Sequence, residues 1–166
     1  MIKGFKSIAF FGICVFLLIQ SCDTTNYQFT PKHYTVIKDS LGKQLVHQCS
    51  RPSPRGATQF FDLTENDVLT LHTNFKKVYE LEPAEDFFID YAITNLEAYA
   101  YQYVGFIYKG TRYVYINAFT IENATITRHD WKNIPMVVCD GGPQLWGVVF
   151  DMDKKRFYNL YLNGPM

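Results

Sequence analysis

Serine, histidine and aspartate are the residues in this sequence that could do acid–base or nucleophilic chemistry, but their spacing fits no common catalytic motif. After residue 21 the serines are Ser40, Ser50 and Ser53, and none lies in the G-x-S-x-G turn of serine hydrolases. The four histidines lack the H-E-x-x-H spacing of zinc enzymes, although a zinc site built from distant residues stays open. We therefore predict no catalytic residue, no metal site and no cofactor, and an enzyme is the least favoured class.

Two short loops have a composition that could bind ions. Asp151 and Asp153 suggest a calcium loop, but such a loop needs further oxygen ligands and a closing glutamate, so a hairpin turn is favoured. The Asp140-Gly141-Gly142 segment could aim backbone N–H groups at an anion, because glycine accepts positive φ. A tight connection in which Asp140 bonds the turn backbone is the favoured alternative.

Residues 1–21 have the pattern of an export signal. Lys3 and Lys6 precede an apolar run over residues 8–19, and the small residue Ser21 follows. The run is shorter than the roughly 20 residues that a membrane-spanning helix needs, although an uncleaved anchor is an alternative. We predict a lipoprotein-type signal peptide over 1–21, a polar tether over 22–32 and a single α+β domain over 33–166.

The segment Ile19-Gln20-Ser21-Cys22 resembles the lipobox of bacterial lipoproteins. The resemblance implies cleavage before Cys22, a diacylglyceryl group on its thiol and acylation of the new N-terminus. Two or more acyl chains anchor a protein stably, whereas one holds it only marginally. We therefore expect Cys22 to anchor the protein in the bacterial cell envelope, at the outer membrane or facing the periplasm. An unlipidated leader is the alternative.

The remaining cysteines are compatible with export. Cys14 leaves with the leader, so Cys49 and Cys139 form an even pair in an oxidising compartment, which favours a disulfide. Two separate buried thiols are the alternative. There is no C-x-x-C spacing, which gives no support to a thioredoxin-like redox role or a zinc ribbon.

The charge of the chain argues against nucleic acid as a partner. Removing Lys3 and Lys6 with the leader takes the 16 basic residues to 14 against 16 acidic residues, a formal charge of −2. No block of basic residues follows the leader.

The clearest helix is predicted over residues 64–81. Thr64 is a good N-cap, and acidic residues follow in the first turn. The apolar residues on one face are Val68, Leu71, Phe75 and Val78. Residues 84–95 are compatible with a further short helix.

From residue 98 the apolar period changes to two, which predicts strands. A hairpin turns at Lys109-Gly110, and further strands are expected over 135–139, 144–151 and 156–164. Residues 33–39 are compatible with one more. The predicted fold is α+β, with one main helix packed on an antiparallel sheet of about four to five strands. The element order resembles a cystatin-like wrap of sheet around helix.

The hairpin also suggests a binding surface. A two-residue turn pairs Gln102 with Asn117 and places Tyr113 and Tyr115 on the same face, unless a bulge at Gly105 shifts the register. We expect the opposite face, with Ile107, Val114 and Ile116, to pack on the helix. The four residues Gln102, Asn117, Tyr113 and Tyr115 would then be half exposed, with the composition of an interaction surface. A purely structural amide pair is the alternative for Gln102 and Asn117.

The second half of the chain resembles small, uncharacterised bacterial lipoproteins. The matching segments are Q-Y-x-G-F at 102–106, I-N-x-F at 116–119, D-G-G at 140–142 and N-G at 163–164. The resemblance implies the fold and a lipid-anchored location, and it transfers no catalytic residue. We expect a membrane-anchored binding module with an unknown protein or glycan partner. An accessory subunit of an envelope assembly is the alternative, and an enzyme with a site formed from distant residues is less favoured.

Overall fold

The computed structural model describes residues 29–84, 91–126 and 129–164. The predicted signal peptide, Cys22 and most of the predicted tether lie outside these residues. The strands are β1 (Tyr34–Val36), β2 (Gln59–Phe61), β3 (Tyr99–Tyr108), β4 (Thr111–Thr120), β5 (Leu145–Asp151) and β6 (Arg156–Leu162). The α-helices are α1 (Gly42–Val46), α2 (Glu65–Asn74) and α3 (Ile121–Ile126). Short 3-10 helices span Asp39–Leu41, Phe75–Glu80, Leu96–Ala98 and Gly142–Gln144.

The predicted α+β class is confirmed. Six strands form one mostly antiparallel sheet that is not closed into a barrel, in the order β1-β3-β4-β5-β6. Strand β2 also pairs with β3, antiparallel, whereas β1 pairs with the first half of β3 in parallel. The two short N-terminal strands therefore share one edge of β3, and they raise the strand count above the expected four to five.

The central hairpin has the predicted register. Lys109 and Gly110 both have positive φ, 52° and 79°, as a two-residue type I′ turn requires. Gln102 pairs with Asn117, and the β3–β4 ladder continues past Gly105 without a shift. Strand β3 therefore has no bulge at Gly105 in its pairing with β4.

Helix α2 begins where its capping residues predict. The Thr64 hydroxyl accepts the backbone N–H of Asp67, and the Asp67 carboxylate accepts the backbone N–H of Thr64, which makes a capping box. Arg112 of β4 also binds the Asp67 carboxylate at 2.8 Å. These hydrogen bonds offset the burial of Asp67 and lower the pKa of its carboxyl group. The helix becomes a 3-10 helix at Phe75 and ends at Glu80.

The main core lies between this helix and one face of the sheet. Leu71, Phe75 and Val78 are fully buried against a layer of large side chains from β3 to β6. The strand residues of this face are Tyr99, Tyr101, Tyr103, Val114, Ile116, Ala118, Trp146, Val148, Phe150, Phe157, Leu160 and Leu162. The prediction that Val114 and Ile116 pack inward is confirmed, whereas Ile107, predicted on the same face, is only half-buried and is not part of this core. Burial lowers the pKa of His72 in this core to about 4, so the ring is neutral at neutral pH.

A second layer covers the opposite face of the sheet. Ile37, Leu45 and Val46, from the segment between β1 and β2, pack on Val104, Tyr115 and their neighbours. The sheet is therefore buried on both sides, and the fold has three layers. Residues 37–46 had no apolar period that would predict this, because the segment is made of single short turns.

Three boundaries differ from the sequence prediction. Residues 135–139 form no strand, because their backbone groups bond to side-chain amides rather than to a neighbouring strand. Phe29, placed in the polar tether, packs on Phe75 with ring centroids 5.7 Å apart, so the folded body begins by Phe29 and not at residue 33. The helix expected within 84–95 lies partly outside the described residues, and residues 91–95 are not helical.

Candidate functional site

A chain of buried polar side chains runs across the second face of the sheet. Gln102 is fully buried on β3, and its amide donates to the backbone oxygens of Trp131 at 2.6 Å and Ile134 at 2.8 Å. Its side-chain oxygen accepts from the Asn117 amide and from the backbone N–H of Met136. This one side chain therefore bonds three backbone groups of residues 131–136.

Arg51 occupies the centre of this chain. Its guanidinium donates to the side-chain oxygens of Asn117 and Asn163 and, at 3.1 Å, to the hydroxyl of Tyr115. The amide of Asn163 in turn donates to the backbone oxygens of Val138 and Asp140, both at 2.9 Å. The whole set holds residues 131–140 against the sheet, and we call Arg51, Gln102, Asn117 and Asn163 the polar clamp.

Arg51 is a buried cation bound to neutral acceptors. It is 6 % exposed, and over the described ranges no carboxylate lies within ion-pair distance of it. Arginine keeps its charge in proteins, so the positive charge remains on this side of the sheet. Gly147 of β5 makes room for it, since a Cβ there would lie 2.8 Å from Arg51 Nε and 2.6 Å from the Tyr115 hydroxyl.

The predicted disulfide is present between Cys49 and Cys139. The two Cα atoms are 4.9 Å apart and the residues are 90 apart in the sequence. Cys49 lies two residues before Arg51, and Cys139 lies in the segment that the polar clamp holds. The bond therefore joins the second layer to residues 131–140 at the same place as the clamp.

The predicted resemblance to bacterial lipoproteins rests on four short segments, and three polar residues of these segments meet in the polar clamp. Gln102 begins the Q-Y-x-G-F segment, Asn117 lies in I-N-x-F, and Asn163 begins the N-G segment. The D-G-G loop meets it through the Asp140 backbone oxygen, which accepts from Asn163. Gly141 and Gly142 both have positive φ, and the loop serves as the tight connection into β5. This arrangement assigns a structural role to the four segments.

The expectation of a half-exposed surface at Gln102, Asn117, Tyr113 and Tyr115 is wrong for three of the four residues. Gln102, Asn117 and Tyr115 are at most 2 % exposed, because the second layer and residues 131–136 cover them. Tyr113 is half-buried and lines an open groove. The burial of Arg51 was not predicted, because the residue lies in a Pro- and Ser-rich stretch that carries no signal for burial.

The groove is a concavity of about 700 Å³ on the same face of the sheet. Residues 52–55 form one wall, and β6 with the turn after β5 forms the other. Phe106 and Val149 lie at its base. Behind the groove, Arg51 and Tyr115 line a cleft that is too narrow for a water molecule. The cleft and the groove share Pro52, Pro54 and three further lining residues.

Four half-buried tyrosines line the groove: Tyr108, Tyr113, Tyr158 and Tyr161. Tyr158 and Tyr161 would lie on opposite faces of a regular strand, since the side-chain period is two. A bulge in β6 brings both onto the same side. Tyr158 pairs with Val149 and Tyr161 pairs with Gly147, so two residues of β6 lie opposite a single residue of β5. Asn159 takes the positive φ of 56° that the bulge needs, a conformation that asparagine tolerates better than most residues.

The charged residues that line the groove are Arg55, Lys154 and Asp151. Asp151 is fully buried, and one of its oxygens accepts the backbone N–H groups of Asp153 and Lys154, which confirms the predicted hairpin turn. Its other oxygen lies 3.6 Å from Lys154 Nζ. Two of the lining rings have a cation near their face, Lys109 at 5.3 Å from the Tyr108 centroid and Arg156 at 5.5 Å from that of Tyr158.

The part of the chain that the structure describes has neither a metal-binding cluster nor a membrane-spanning helix. No three His, Cys, Asp or Glu side chains there come together as a metal site. No helix within those residues has the length and the apolar character needed to cross a membrane.

Comparisons with known proteins returned no similarity. No protein-family model, no curated protein and no solved structure matches this chain. The cystatin-like arrangement therefore stays a prediction from element order. What the site does has to be argued from its own geometry.

Proposed function

We propose that this protein is a lipid-anchored module of the bacterial cell envelope that binds a partner in the groove between residues 52–55 and strand β6. The observation that carries the binding role is the groove itself, about 700 Å³ of open concavity with four half-buried tyrosines. Rigid rings with polar tips are typical of binding surfaces. The anchoring role is supported by the sequence pattern that ends at Cys22.

The geometry favours binding over catalysis. Among the described residues the groove has a single carboxylate, Asp151, and that group already accepts two backbone N–H bonds and faces Lys154. No histidine, cysteine or serine pair with hydrogen-bond geometry lines it, and Ser53 is its only side chain of those types among the described residues. A general acid–base or nucleophilic site needs such a second group within reach.

Loss of the groove tyrosines should remove the bound partner. We expect a Tyr113→Ala/Tyr158→Ala variant of the full chain, purified in detergent from its own envelope, to lose at least about tenfold of a co-purifying glycan or protein, since aromatic anchors commonly contribute more than 1.4 kcal/mol each. Mass spectrometry quantifies the recovery. Tyr79→Ala is the matched control, because Tyr79 is 42 % exposed on the helix that covers the opposite face of the sheet.

Equal recovery with the groove variant and the control, from protein of unchanged melting temperature, would contradict a binding role for the groove. A partner that is retained by both variants would instead favour an accessory subunit that docks through another surface.

Replacement of the predicted lipidation site should release the protein from membranes. We expect Cys22→Ser to move nearly all of the protein to the soluble fraction after cell lysis, because the acyl chains are the proposed anchor. Globomycin, which blocks lipoprotein signal cleavage, should make the full-length precursor of the wild type accumulate. An intact mass that shows an unlipidated mature N-terminus would overturn the anchor.

A further inference from the structure

We infer that the groove takes an acidic sugar, a glycan that carries uronic-acid carboxylates, and this inference rests on the proposed binding function. Three features of the groove support it: its local charge, its aromatic walls, and a main chain that is poorly suited to adding a further strand.

The local charge is positive, against the sign of the chain. Arg55 and Lys154 line the groove, Lys109 and Arg156 lie at the faces of two lining rings, and Arg51 is buried behind it. Asp151 is the one acidic residue that lines it among the described residues. Lys154 lies 3.6 Å from the Asp151 carboxylate, so the two cations and one anion of the described lining leave a net charge of +1, and the three neighbouring cations add to it. Such a surface attracts an anion.

The aromatic walls fit a ring with apolar faces. Tyr113 and Tyr158 are half-buried and line the groove; Phe106 stacks on one face of Tyr113 and Arg156 lies near one face of Tyr158, so a sugar would use the other face of each ring. The face of an aromatic ring carries negative partial charge and accepts the C–H groups that lie along one face of a pyranose. The tyrosine hydroxyls can bond the sugar hydroxyls. A flat ring with polar edges is therefore matched better than a compact inorganic anion.

The main chain around the groove disfavours an extended peptide. A peptide that adds a strand needs an open row of N–H and C=O groups. At the outer edge of β6, Leu160 already pairs with Pro83, and its backbone oxygen accepts from Ala84. On the opposite wall Pro52 and Pro54 have no N–H group to give. Strand addition is therefore disfavoured at these positions, and the side chains of the groove are the main recognition groups.

The test uses isothermal titration calorimetry on the full chain in detergent, with tetragalacturonate as the probe. The methyl-esterified tetramer keeps the rings and removes the charge, and hexaglutamate keeps the charge and removes the rings. We expect tetragalacturonate to bind, and each of the other two to bind at least about tenfold more weakly. Higher NaCl should weaken the tetragalacturonate complex.

Two variants separate charge from folding. Arg55→Gln should weaken tetragalacturonate binding at least about tenfold while the melting temperature is unchanged, since Arg55 is exposed, and Lys154 is kept because it pairs with the buried Asp151 carboxylate. Lys132→Gln, an exposed cation near strand β1 at the other edge of the sheet, should leave binding unchanged. Equal loss in both variants would mean a diffuse charge effect and would overturn the site.

The other outcomes also decide the matter. Absence of tetragalacturonate binding overturns the inference, as does equal binding of hexaglutamate. Equal binding of the methyl ester rejects the acidic part and leaves the proposed groove function in place. The proposed function itself fails only if the Tyr113→Ala/Tyr158→Ala variant also keeps its native envelope partner.

Discussion

Removing the disulfide should lower the free energy of unfolding by about 4–5 kcal/mol, the largest single effect we expect in this protein. The Cys49–Cys139 bond closes a loop of 90 residues, and chain-entropy estimates for loops of that length lie in this range. A domain of this size has a total stability of about 5–15 kcal/mol, so the change would remove a large share of it.

The measurement is urea unfolding of a chain that begins at residue 22 and carries Cys22→Ser, with and without Cys49→Ala/Cys139→Ala. Both half-cystines are exposed, so a reductant should bring the parent protein to the midpoint of the double variant. The same reductant should leave the double variant unchanged. Equal midpoints for the oxidised parent and the double variant would show that the bond contributes nothing.

Replacing Arg51 by methionine should destabilise the fold by about 3 kcal/mol. The change leaves the buried oxygens of Tyr115, Asn117 and Asn163 without their donor. A buried polar group that loses its partner costs about 1–3 kcal/mol, and the relief of burying a charge offsets part of the sum. Methionine keeps most of the volume, so the loss reports hydrogen bonding rather than a cavity.

The matched control is Arg55→Met, an exposed arginine four residues away, for which we expect a change within about 0.5 kcal/mol. Arg51→Lys should fall between the two, because one ammonium cannot reach three acceptors in the planar geometry of a guanidinium. Thermal unfolding with equilibrium urea titration gives these values. A loss for Arg51→Met no larger than for Arg55→Met would mean that the polar clamp does not hold residues 131–140.

The elements that could be predicted from the sequence are those whose structure depends on contacts between residues close together in the chain. Thr64 caps α2 because its hydroxyl bonds a backbone group three residues away, and this pattern is visible in the sequence. The Lys109-Gly110 turn fixes the register of the central hairpin for the same reason. The strand expected over 144–151 is also present, since its apolar residues pack on both layers of the fold.

The parts of the structure that were not predicted depend on contacts between residues far apart in the sequence. The apolar residues at 135–139 have the composition of a strand, but their backbone groups bond to the side chains of Gln102 and Asn163 and not to a neighbouring strand. Nothing local shows that Ile37 and Leu45 would cover the second face of the sheet. The groove was missed for a related reason, since only the bulge at Asn159 brings Tyr158 and Tyr161 onto one side.

The position of Arg51 has a consequence for the order in which this protein can fold. The four long strands follow one another along the chain and pair as neighbours, so they can assemble from contacts of short sequence separation. Arg51 is synthesised before all of them, yet its acceptors lie 64, 66 and 112 residues later. The guanidinium therefore stays hydrated until β4 has formed and Asn163 has left the ribosome. The hydrogen bonds of Arg51 are therefore among the last contacts of the fold to be completed, because the most distant acceptor belongs to the end of the sheet.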